Sequence, residues 1–195
     1  MANDMKTSPA WAWLPAVLLL GGCFSTPIES QQDVRGKSVQ AQQKQAERYP
    51  ATVSRVSDGD TLHVVDRNGL KHKLRLAYID APELQQAHGE ASRQALQHLL
   101  GKKVEVSVFG YDRYRRELAK VSLNGRDISL QQLQQGHAWH YESYAKRRQT
   151  ADDYAAYAAA QRQAKQNRSG LWRAYQVQAP WEFRQQNRQE AASDE

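Results

Sequence analysis

An α+β domain of short strands first and helices after is what this sequence predicts, with a small five-stranded β-barrel among the folds of that order, and three observations predict it. Short apolar stretches separated by turn-forming residues crowd into residues 52–79. A helical pattern follows from 89 to 100. Two more strand patterns, over 104–108 and 116–123, then precede the remaining helices.

The first three segments, 52–57, 61–66 and 70–79, are divided by Asp58-Gly59-Asp60 and by Asp66-Arg67-Asn68-Gly69, residues that tolerate tight turns and so predict a meander. The third is the most regular. Leu70, His72, Leu74, Leu76 and Tyr78 alternate with Lys71, Lys73, Arg75, Ala77 and Ile79 at the period of two that gives a strand one apolar face. Between Gly89 and Leu100, Ala91, Ala95 and Leu99 recur four apart with Leu96 and Leu100 beside them, and Gly101 supplies the stop. Val104, Val106 and Val108 alternate in a fourth strand, and a fifth over 116–123 closes at Asn124-Gly125. Asp127 is placed to cap a short helix ending before Gly136. Thr150, with Asp152 and Asp153 in the first turn, opens a last helix through an alanine-rich stretch to about Arg168. Five strands with a helix after the third, and about three α-helices in all, is the order of an OB-fold, a Greek-key barrel that often holds oligonucleotides. Pattern alone leaves other α+β folds open.

With 195 residues the chain accommodates one such domain and appendages, not two domains. Its formal charge of +6 is uneven: residues 50–181 hold 20 Lys and Arg against 13 Asp and Glu. That excess points to a polyanionic partner, nucleic acid or an anionic surface, against the plainer reading of a soluble domain with one basic face. Before it, Lys6 precedes the apolar run Trp11–Leu20, too short to span a bilayer and of the length of a signal-peptide core. The run ends in Leu20-Gly21-Gly22-Cys23, and Cys23 is the single cysteine. This arrangement resembles the lipobox of bacterial lipoproteins, which implies a signal peptide over 1–22, lipid on Cys23 and a place in the cell envelope. Phe24 in the following position leans toward the outer membrane by the same resemblance. With one cysteine, an exported domain is held by its core and not by an internal disulfide. Residues 23–48, rich in Gln, Ser, Lys and Glu, read as a flexible tether, and 182–195 as a disordered polar tail.

The motifs narrow the function. "DGDT" at 58–61, "LRLAYIDAPE" at 74–83, "GEASRQAL" at 89–96, "YDRYRRELAKV" at 111–121, "QQGHAW" at 134–139 and "SGLW" at 169–172 occur in order at compatible spacings. Together they resemble the staphylococcal nuclease family over about residues 50–175, with 49–181 as the domain. Taken alone, each piece has a plain alternative. Asp58-Gly59-Asp60 is an ordinary turn, Asp80 and Glu83 form a strand end facing water, and Arg75 lies on a solvated face with Lys71 and Lys73.

The resemblance implies a metal-dependent nuclease that hydrolyses DNA, with RNA left open, by attack of an activated water and with little sequence preference. It implies Asp60 and Asp80 as metal carboxylates joined by the backbone oxygen of Ala81, an all-oxygen set suited to Ca²⁺, with Mg²⁺ or Mn²⁺ also compatible. The family usually has threonine where this chain has Ala81. A carbonyl ligand survives that change. Glu83 is implied to act on the attacking water, and Arg75 and Arg116 to bind phosphate oxygens through their planar, permanently charged forks. The family commonly has glycine just before Arg116, where this chain has Arg115; a φ > 0 conformation there costs a non-glycine residue on the order of 1 kcal/mol. Tyr114, and next Tyr141 and Tyr144, are candidates to stack on bases, with packing against barrel or helices as the alternative. Trp172 reads as core, and the six histidines lack metal-site spacing. The other function considered is a catalytically inactive OB-fold module that binds nucleic acid or another polyanion at the envelope. A monomer is expected.

Overall fold

A computed structural model describes residues 47–193. Cys23, the signal segment over 1–22 and nearly all of the tether lie outside the described residues. The strands are β1 (Glu47–Val56), β2 (Thr61–Asp66), β3 (Lys71–Leu76), β4 (Ile79–Asp80), β5 (Lys103–Tyr111), β6 (Glu117–Leu123), β7 (Arg126–Asp127) and β8 (Trp139–His140). The helices are α1 (Gly89–Ala95), α2 (Ile128–Gln134), α3 (Glu142–Ala145), α4 (Ala151–Gln166) and α5 (Pro180–Ser193).

Five strands close into a barrel in the order β3-β2-β1-β5-β6, with antiparallel neighbours and a parallel β3–β6 pair that seals it. Closure leaves no free edge among these five, and it is the OB-type arrangement that the strand order predicts. Alternation fills the interior. Val53, Leu62, Val64, Leu74, Leu76, Val104, Val106 and Val121 are all buried, and they come from alternate positions of five strands. The caps are the expected ones: the Asp127 side chain accepts from the Leu130 N–H at the start of α2, and Thr150 accepts from the Asp153 N–H at the start of α4.

Three expectations are corrected. The third strand does not run from 70 to 79. Leu70 is exposed and β3 ends at Leu76, because Tyr78 takes a left-handed φ of 67° that turns the chain into β4. The predicted helix over 89–100 stops at Ala95 and continues as a tighter 3₁₀ turn over Gln97–Leu99. Residues 182–195 are not a structureless tail over their described part. They belong to α5, which begins with proline at the first helical position, where a missing N–H costs nothing, and carries Glu182 in its first turn. Among the described residues the α-helices number five, where about three are expected.

The elements around the barrel mouth fix two short segments. β4 pairs with β8, so that Asp80 lies opposite Trp139, and the Tyr78 carbonyl accepts from the Tyr141 N–H at 2.9 Å. The turn between β1 and β2 is held from outside by Gln132, which donates to the Gly59 carbonyl at 2.8 Å. Gly59 itself has no room for a side chain, since a Cβ there would sit 1.9 Å from Ser92 Oγ and 2.7 Å from the Ala81 Cβ. The glycine between the two aspartates therefore lets the turn pack against α1 and against the β4 end at once.

Beside α1, His88 Nε2 and His137 Nδ1 lie 3.0 Å apart with their rings stacked. Burial, with His88 alongside, pushes the His137 imidazole down to about 4. The unfolded chain, with an ordinary imidazole near 6.5, then binds more protons than the native state in the window between these values. Stability contributed by the neutral ring is therefore lost as pH falls through that window. We expect His137→Gln to lose less melting temperature than the unaltered protein between pH about 7.5 and pH about 5, as read by thermal melts at the two values.

Candidate active site

A cleft of about 650 Å³ opens at the barrel mouth, and it gathers residues from the β1–β2 turn, β3, the segment after β4, the β5–β6 loop and the residues after β8. Nine residues singled out from the sequence line it: Asp60, Arg75, Asp80, Ala81, Glu83, Tyr114, Arg116, Tyr141 and Tyr144. A larger hollow beside Pro82 and α5 has no carboxylate in its lining and none of these nine residues.

Arg75 sits at the centre of the cleft. Its Nη2 lies 3.0 Å from Asp60 Oδ2 and 2.8 Å from Asp80 Oδ1, while its Nη1 donates to the carbonyls of Leu76 at 3.0 Å and Ile79 at 2.9 Å. Only 13% of its side chain is exposed, so the solvated strand face that alternation offers as the plainer reading is not where it lies. Asp60 also accepts from the Ala81 N–H at 2.8 Å and from the Thr61 hydroxyl at 3.1 Å. Burial pushes the Asp60 carboxyl up to about 7 against the pull of Arg75, with the charges of Asp58 and Asp80 adding to the rise. Two buried carboxylates thus converge on one guanidinium nitrogen.

Arg116 enters from the β5–β6 loop. Its Nε donates to Asp112 Oδ2 at 2.7 Å and its Nη1 to Thr61 Oγ1 at 3.2 Å, which joins it through Thr61 to Asp60. Asp112 also accepts from the N–H groups of Tyr114 and Arg116, so one carboxylate folds the loop and aims the guanidinium. Of the clustered arginines only Arg116 reaches this network. Arg113 covers the Tyr114 ring at 4.7 Å, and Arg115 stands exposed outside the cleft lining. Arg115 has φ 60°, the left-handed conformation at which glycine is free of strain. On the nuclease reading that the motifs imply, Arg115→Gly should leave DNA cleavage unchanged or raised and the melting temperature unchanged or raised. A loss of activity by about tenfold in a plasmid-nicking assay would show that the Arg115 side chain is itself used.

The aromatic candidates differ in their openness. Tyr114 is 64% exposed at the cleft wall. Tyr141 is flanked by Tyr144 at 6.1 Å and by Trp181 at 5.7 Å, both near-parallel, and Tyr144 also packs against the core. Trp172 is buried, edge-on to Trp139.

An arginine far beyond the last motif also reaches the cleft. Arg184 of α5 donates through Nη2 to Asp80 Oδ2 at 2.7 Å, and through Nη1 to Glu83 Oε1 at 2.7 Å and to Asp80 Oδ1 at 3.3 Å. The cue in the sequence is Pro180 followed by Trp181 and Phe183, a helix start with apolar anchors inside an otherwise polar stretch.

The donor set suits a hard cation. Asp60, Asp80 and the Ala81 carbonyl offer oxygen ligands only, and the two carboxylates already converge on one cationic nitrogen. They are fewer than the six to eight oxygens that Ca²⁺ takes, so water or phosphate oxygens complete such a site. Among the described residues, no group of three or more His, Cys, Asp and Glu side chains forms a ready-made metal cage.

Comparison with known proteins gives the family. The family described as "Staphylococcal nuclease homologue" matches residues 73–174, just over half of the chain. An uncharacterized endonuclease of Haemophilus influenzae is 36% identical over 149 residues, covering 76% of this chain and 80% of that protein. An uncharacterized endonuclease of Escherichia coli O157:H7 is 35% identical over 174 residues, covering 88% and 96%. A staphylococcal-like nuclease of Arabidopsis thaliana is 36% identical over 119 residues, which is 60% of this chain and 35% of that protein. The chain spans only about a third or less of the plant relatives that it matches.

Proposed function

Because the chain belongs to the family of staphylococcal nuclease homologues, we propose that its cleft hydrolyses phosphodiester bonds of DNA with water as the nucleophile and with little sequence preference. The observation that carries this reading is the convergence of Asp60, Arg75, Asp80, Glu83 and Arg116 on one basic-rimmed cleft. Asp60, Asp80 and the Ala81 carbonyl would hold a divalent cation, Ca²⁺ by family resemblance. The bound ion would neutralise charge on a phosphate oxygen.

The side chains divide the remaining work. Glu83 is the most open of the three carboxylates, with 38% of its side chain exposed, and it takes a proton from the attacking water. Arg116, aimed by Asp112, donates hydrogen bonds to the oxygens on which negative charge grows as phosphorus becomes five-coordinate. Arg75 holds the two buried carboxylates together and adds positive charge at the same centre. Tyr114 offers an exposed ring for a base, and Lys73 and Arg113 rim the cleft with charge for the backbone.

The test is digestion of plasmid DNA, single-stranded DNA and RNA by the purified chain, with and without a chelator. Cleavage should vanish with chelator and return with added Ca²⁺. Tight binding of DNA without cleavage at any divalent cation concentration would identify an inactive binding module instead.

We further read Cys23 as the lipid-bearing residue of an exported protein tethered to the bacterial envelope. What supports this is the short apolar run ending in Leu20-Gly21-Gly22-Cys23. Cys23→Ala should release the protein from the membrane fraction or block its maturation. Unchanged membrane association together with unchanged processing would overturn the reading.

A further inference from the structure

Asp80 has almost no exposure, and both of its oxygens are already taken: Oδ1 by Arg75 at 2.8 Å and Arg184 at 3.3 Å, Oδ2 by Arg184 at 2.7 Å. A cation that ligates Asp80 therefore competes with a guanidinium for it. Arg75 is the harder of the two to move, because it is fastened to Asp60 and to two backbone carbonyls and is 13% exposed. Among the described residues, Arg184 is held by Asp80 and Glu83 alone, and its side chain is 36% exposed. The helix that carries it is lightly docked. Pro180 is buried, Trp181 and Phe183 are half-buried, and every described residue after Arg184 is exposed.

From this geometry we infer that α5 is an intramolecular latch on the candidate active site, with Arg184 standing on Asp80 and Glu83 where a divalent cation and the attacking water would act. The inference rests on the metal-dependent reading above and adds a regulatory contact to it. A doubly charged ion on Asp80 repels both guanidinium groups that share this carboxylate in a partly buried site, and Arg184, fastened by fewer contacts than Arg75, is the one that yields. Latched, the protein has its candidate base ion-paired and its buried carboxylate neutralised. Binding of the cation releases Arg184, frees Glu83 and loosens α5 from its anchor, the stack of Trp181 on Tyr141 and its edge contact with Trp139. Competition of this kind is reciprocal: the factor by which docked α5 weakens cation binding is the factor by which the bound cation weakens docking of α5.

The experiment is calorimetric titration of Ca²⁺ into the purified full-length chain and three variants. Arg184→Ala should bind Ca²⁺ about tenfold tighter than the unaltered protein, within the span usual for coupled sites. Trp181→Ala keeps the charge of Arg184 but removes the aromatic anchor, and it should also bind more tightly. Arg188→Ala removes the same charge from the same helix at an exposed position that makes no ion pair among the described residues, and it should leave the affinity unchanged. In the unaltered protein, Ca²⁺ should also speed tryptic cleavage after Arg184 and Arg188. Equal gains in Arg184→Ala and Arg188→Ala would reduce the effect to net charge and overturn the latch. Weaker binding in Arg184→Ala would make Arg184 a support of the site and overturn it too. Absence of Ca²⁺ binding in all four proteins would overturn the latch together with the metal reading, whereas equal and measurable binding in all four would overturn the latch alone.

Discussion

Glu83→Gln should lower the rate of DNA hydrolysis by about 10² to 10⁴ while leaving DNA affinity intact. The substitution keeps the size of the side chain and removes its basicity, so under the proposed mechanism the attacking water loses its proton acceptor. Structure should not suffer. Glu83 stands at the open edge of the cleft, and among the described residues the only side-chain partner of its carboxylate is Arg184, which keeps Asp80 when Glu83 is neutralised. Lys73, Arg75, Arg113, Arg116 and Tyr114 remain to hold the substrate, and removing one negative charge beside a phosphate favours binding. Single-turnover cleavage together with fluorescence anisotropy on labelled DNA separates the two effects. Activity equal to that of the unaltered protein would show that another group takes the proton.

Arg75→Ala and Arg116→Ala should each lower turnover by about 10² or more, yet they should differ in stability. Removing Arg75 leaves Asp60 and Asp80 buried without the charge that they share, a loss on the order of 3 to 5 kcal/mol where a buried pair is broken. Added Ca²⁺ should restore part of that stability, since a cation at the two carboxylates does the same neutralising work. Arg116 is more exposed and pairs with the part-exposed Asp112, so its removal should change the melting temperature far less. Thermal melts with and without Ca²⁺, set beside cleavage rates, test the split. If Arg116→Ala kept full activity while Arg113→Ala lost it, the phosphate-binding role would pass to the neighbouring arginine.

Much of this architecture can be read from the chain because local and global preferences agree. Val104, Val106 and Val108 alternate as a half-buried strand must, Asp127 and Thr150 are placed to cap helices and do cap them, and Asn124-Gly125 turns one strand back on the next. The cleft residues were legible as family motifs, since their spacing survives whatever surrounds them. Other features depend on partners distant in sequence. Nothing local in Leu74–Glu83 announces that Tyr78 takes a left-handed φ. That conformation goes with the β4–β8 pairing and with the Tyr141 N–H on the Tyr78 carbonyl. Alternation puts Arg75 on one face with Lys71 and Lys73, yet its guanidinium meets Asp60 and Asp80, two carboxylates supplied by the β1–β2 turn and by β4. α5 is polar along most of its length, and what orders it is a short apolar start and one arginine whose partners lie about a hundred residues earlier. A low-hydrophobicity segment can be ordered by a few strong contacts, and composition alone does not weigh those.

The central claim, hydrolysis at a metal-loaded carboxylate pair with Glu83 as base, is tested most directly by DNA cleavage across a Ca²⁺ titration of the unaltered protein, Asp80→Asn and Glu83→Gln. Asp80→Asn weakens the ion site without removing the base, so its activity should climb at Ca²⁺ concentrations that already saturate the unaltered protein. Glu83→Gln should stay slow at every concentration. Cleavage by the unaltered protein that persists undiminished in chelator, or recovery of Glu83→Gln by Ca²⁺ to the same extent as Asp80→Asn, would contradict the account.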